Sequence, residues 1–82
     1  MSNTAVSTVE QEASNHDADF AHELAVLLRH SQNNRRGLMF YVRGERIGGG
    51  VKEILRDAVV VGNQEFGRIL IRFESIDAVA AN

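Results

Sequence analysis

Three histidines, eleven acids and one run of three glycines are the residues of this 82-residue chain whose types could do chemistry. His22 and His30 stand eight positions apart, beyond the single helical turn that lets two imidazoles share a metal ion, and His16 lies further upstream. Asp17-Ala18-Asp19 lacks the remaining ligand positions of a calcium loop and reads as helix capping and solvation. Ser75 has Glu74 and Asp77 close by in sequence but no histidine near it to take its proton, so a nucleophilic triad has no base. The absence of cysteine excludes a disulfide framework, a thiolate zinc site and a cysteine nucleophile together. Gly48-Gly49-Gly50 is followed by no Gly-Lys-Ser/Thr and opens no helix, which favours a strand bend over a phosphate cradle. The expectation is a protein that is not an enzyme and needs neither metal nor cofactor.

Arginine is the remaining chemistry. The first 23 residues hold five acids and no lysine or arginine, whereas residues 24–82 hold all nine basic residues against six acids. An acidic leading segment before a mildly basic body is compatible with a body that meets phosphate. Arg29, Arg35 and Arg36 form the densest basic cluster, and guanidinium forks suit phosphate oxygens. The competing reading is a solvated helix end whose charges complement the helix dipole.

The elements that must position these residues follow from the hydrophobic period. Residues 1–16 are small, polar and acidic, and are expected as a disordered tail. Phe20, Leu24, Leu27 and Leu28 then recur at helical spacing, which predicts a helix over about residues 17–31, closed by Gly37. Beyond Gly37 the period switches to two. Leu38, Phe40 and Val42 alternate with Met39, Tyr41 and Arg43, and Arg43-Gly44-Glu45 reads as a tight hairpin turn. A second strand runs from about Arg46 to Leu55, bent at its glycines, and Ala58–Val61 is apolar enough to be buried on both faces. Arg68–Phe73 and Ile76–Ala80 follow as two more short strands. One helix and five strands make a single domain over residues 17–82, mainly β, with the outline of a small, strongly bent SH3-like barrel over about residues 37–80. No run approaches a membrane span, and the start of the chain lacks a basic, apolar signal segment, so the expected localisation is cytoplasmic, away from membranes.

Leu38-Met39-Phe40-Tyr41-Val42-Arg43-Gly44-Glu45-Arg46-Ile47-Gly48-Gly49 resembles the first half of the Sm/LSm/Hfq signature, and Ile71-Arg72-Phe73-Glu74-Ser75-Ile76 is similar to its second half. The resemblance covers residues 20–80 in order and spacing. It implies a bent barrel assembled into a homo-oligomeric ring that binds single-stranded RNA, with Arg72 at the position of the signature arginine. The positions that complete the family's base pocket are occupied by Leu55, Asp57 and Val59. Phe73 stands at the signature glycine, Ser75 at the asparagine, and Phe73-Glu74 where one branch carries Lys-His. A leucine and a valine cannot read a uracil edge, and a carboxylate does not welcome phosphate. The resemblance thus implies the barrel and the ring more directly than the uridine site.

Two readings follow. In the first, RNA is held by Arg72 with help from Arg29, Arg35 and Arg36; in the second, the ring is a structural or protein-interaction scaffold with that pocket lost. Both need the strand edges to pair. In the resembled family the fourth strand of one subunit joins the fifth of the next, which makes Arg68, Leu70, Ile71, Phe73, Ile76 and Val79 the interface candidates. A closed ring of about five to seven copies would remove both edges.

Overall fold

A computed structural model describes residues 18–82 in full and assigns the first helix, α1, as Ser2–Asn34. The acidic tail expected over residues 1–16 lies outside the fully described part. Within residues 18–34, Leu24 and Leu28 are buried and Leu27 packs against the core, so the leucine stripe does lie on the sheet. Ser31 continues that stripe and is also buried. Its hydroxyl donates to the Arg36 carbonyl and accepts the Val51 amide at 3.2 Å, which ties the helix end to a strand.

The helix runs to Asn34, and it is not Gly37 that stops it. Arg35 takes the left-handed conformation, with φ of 56°, and the Arg36 amide reaches back to the Ser31 carbonyl at 3.1 Å. This is a Schellman-type cap built on an arginine where glycine is the usual choice. Gly37 is instead the first residue of β1.

The strands are β1 (Gly37–Val42), β2 (Glu45–Ile54), β3 (Ala58–Gly62), β4 (Ile69–Arg72) and β5 (Ile76–Ala80), with a short 3₁₀ turn, Phe73–Ser75, between the last two. They form one antiparallel sheet in the order β4-β3-β2-β1-β5. Val42 pairs with Glu45 across Arg43 and Gly44, whose φ angles of 50° and 86° are those of the two-residue hairpin turn that matches strand twist. All four of Ala58, Val59, Val60 and Val61 are buried, as the apolar run requires. The register shifts in two places. Lys52 is skipped in the β2–β3 register, and Asp77 in that of β1–β5, where its carboxylate accepts the Arg43 amide at 2.8 Å.

The glycine run has a different job from the bulge. A Cβ on Gly49 would stand 2.7 Å from the Gly62 carbonyl oxygen, whereas one on Gly50 meets nothing within 4 Å. Gly49 is therefore needed for close approach of β2 to β3, while the register irregularity comes three residues later. Leu24 and Leu28 of α1, Leu38 and Phe40 of β1, Val51 of β2, Val59 and Val61 of β3, Ile71 of β4 and Ile76 of β5 meet in one core. The fold is mainly β: one N-terminal helix over an open five-stranded antiparallel sheet. Among the described residues no helix is long and apolar enough to cross a membrane.

Candidate nucleic-acid interface

One corner of the sheet gathers the chemistry. Residues 55–57 connect β2 to β3, and the Phe73 amide donates to the Asp57 carbonyl at 3.0 Å, which clamps this connection to the turn that follows β4. Arg72, the last residue of β4, is exposed there, and its Nη1 lies 3.5 Å from Glu74 Oε1. Arg56, Asp57, Arg72, Phe73 and Glu74 line a shallow hollow of about 340 Å³. The corner thus offers two guanidinium groups, two carboxylates and an aromatic ring. The Arg72–Glu74 pair has both side chains more than two-thirds in water, so it is worth at most about 1 kcal/mol and opens readily toward a stronger anion.

Against this corner lies a second, apolar groove of about 380 Å³. It runs between α1 and the turn after β4, shares Phe73 and Glu74 with the first hollow, and has Arg29 on its helix side. The structure therefore brings Arg29 and Arg72 to adjoining hollows. Arg35 and Arg36 are exposed at the end of α1, outside both; Arg36 lines a separate small hollow with Leu27, His30 and the chain terminus. Among the described residues no three His, Asp or Glu side chains gather as a metal site would require.

The interface candidates divide by the pleat. Leu70 is 68% exposed, the most exposed large apolar side chain among the described residues. Arg68 is also exposed, with an ion pair to Glu53 at 3.4 Å, and Val79 is half-buried against the core. Ile71 and Ile76 are buried core residues, because alternate residues of an edge strand face inward, and it is their backbone that such a strand offers a neighbour. Phe73 is half-buried and lines the groove rather than a strand edge.

No protein-family model, curated protein or solved structure matches this chain. The chemistry of the corner rests on its own residues. Sequence reasoning missed Arg56 and Phe20. Arg56 was readable as the only cation beside Asp57 in the β2–β3 connection. Phe20 shares the helical stripe of Leu24 by spacing, yet it is 41% exposed and lines the groove.

Proposed function

We propose that this protein is a non-enzymatic, Sm-like barrel that assembles into a homo-oligomeric ring and binds single-stranded RNA at the corner formed by Arg72 and Arg56, in the cytoplasm. The observation that carries the reading is the strand order, which among the described residues leaves β4 and β5 as the two end strands of one sheet, with Leu70 exposed on the first. A short sheet with two bare edges is an aggregation hazard, and cyclic pairing of β4 with β5 of the next copy removes both edges at once. Ring symmetry then repeats Arg72 and Arg56 once per subunit, so that individually weak phosphate contacts add along one strand.

A second reading, a scaffold ring without RNA, is favoured by the two carboxylates, Asp57 and Glu74, that share the hollow with the arginines. Binding of labelled oligo-uridine and oligo-adenine at two salt concentrations separates the two. The RNA reading expects affinity that falls steeply with salt and is lost in Arg72→Ala with the ring intact. Absence of binding at low salt, or a ring that falls apart in Arg72→Ala, favours the scaffold.

A further inference from the structure

The apolar groove beside Arg72 is not needed for phosphate binding, and its composition points to a different part of the same ligand. Among the described residues its lining is aliphatic or aromatic apart from Arg29 and Glu74. Buried Leu24 and Leu28 line it together with two aromatic rings, Phe20, 41% exposed, and half-buried Phe73. A concave apolar site with a few placed polar groups is how proteins hold a flat organic ligand. Its continuity with the hollow of Arg72 and Arg56, through the shared Phe73 and Glu74, says which ligand: a base of the strand whose phosphates lie on those arginines.

Glu74 then decides which base. An ionised carboxylate only accepts hydrogen bonds. Uracil presents one N–H between two carbonyl oxygens, and those oxygens face a carboxylate unfavourably. Adenine and cytosine each offer an amino group next to an acceptor nitrogen. Guanine alone offers N1–H and the N2 amino group side by side, a parallel pair of donors that matches both oxygens of a carboxylate. Glu74 makes one long contact, to Arg72 at 3.5 Å, and its side chain is 73% exposed, so its oxygens are open to such a pair. We infer that the groove receives an unstacked guanine base of single-stranded RNA, held between Phe20 and Phe73 and read at its N1–H and N2 edge by Glu74. The inference rests on the RNA reading above and deepens it. The same carboxylate that disqualifies a uridine pocket becomes the specificity determinant.

The test compares three labelled hexamers on the full-length protein by fluorescence anisotropy: oligo-uridine, alternating guanosine–uridine, and alternating inosine–uridine, which lacks only the N2 amino group. The expected result is guanosine–uridine binding about tenfold tighter than oligo-uridine, as one stacked base contributes, with inosine reducing the gain. Phe20→Ala, at an exposed position compatible with folding, should weaken the guanosine–uridine hexamer and leave oligo-uridine unchanged, and Glu74→Gln should narrow the difference between guanosine and inosine. If all three hexamers bind equally and Arg72→Ala weakens all of them, the groove assignment is overturned while the RNA reading stands. If no hexamer binds, both are overturned. Loss of assembly in Phe20→Ala would identify the groove as a contact between subunits and overturn the inference as well.

Discussion

Arg35 holds the left-handed backbone that closes α1, with φ of 56°, and a side chain with a Cβ is strained there. Arg35→Gly should raise stability by about 0.5–1 kcal/mol, read as a higher melting temperature; a fall would mean that the arginine side chain has a structural partner. Ser31 is the opposite case. It is buried, and its hydroxyl serves the Val51 amide and the Arg36 carbonyl together. Ser31→Ala leaves a buried amide without a partner and should cost about 1–3 kcal/mol in chemical denaturation, and an unchanged midpoint would contradict the linkage. Neither role was legible in sequence. A left-handed arginine follows no composition rule, so Gly37 was the natural stop to expect, and Ser31 among Gln32, Asn33 and Asn34 reads as part of a polar helix end. Arg72 stands out only through the resemblance, as the residue at the signature arginine's position, and Arg56 joins it through the clamp between the β2–β3 connection and the turn after β4.

The elements were more readable than their junctions, since hydrophobic period is a property of a segment and register is a property of pairs. The alternation from Leu38 to Val42 and the all-apolar Ala58–Val61 gave β1 and β3, and Ile76–Ala80 coincides with β5. The sequence places the bend of β2 at its glycines, whereas the structure separates a close-approach glycine, Gly49, from a register shift at Lys52. Gly49→Ala should therefore lower stability by about 1–3 kcal/mol, because the Gly62 backbone has to move, while Gly50→Ala should be close to neutral. Equal melting temperatures for the two variants would remove Gly49's special place. On β4 the pleat assigns Ile71 to the core and leaves Leu70 outside. Leu70→Lys should leave the subunit folded, by circular dichroism, and abolish assembly, since lysine on an edge strand blocks pairing. Retained assembly would take the interface away from this edge.

For the molecule as a whole, one core drawn from the helix and all five strands leaves, among the described residues, β4 and β5 as end strands and one corner where two guanidinium groups, a ring and two carboxylates adjoin. In the proposed reading the oligomer and the binding site would share one element, since β4 is an end strand of the sheet and ends at Arg72. The charge asymmetry of the sequence, basic beyond residue 23, agrees with a body that meets phosphate, but sequence alone could not place Arg29 beside the corner and Arg35 and Arg36 outside it. The central claim, a closed ring joined through β4 and β5, is tested most directly by native mass spectrometry of the full-length protein and of Leu70→Lys at micromolar concentration. The account predicts a single species of about five to seven chains for the parent, as closed cyclic pairing requires, and a monomer for the variant. A monomeric parent, or an open series of masses without a closed size, would contradict it.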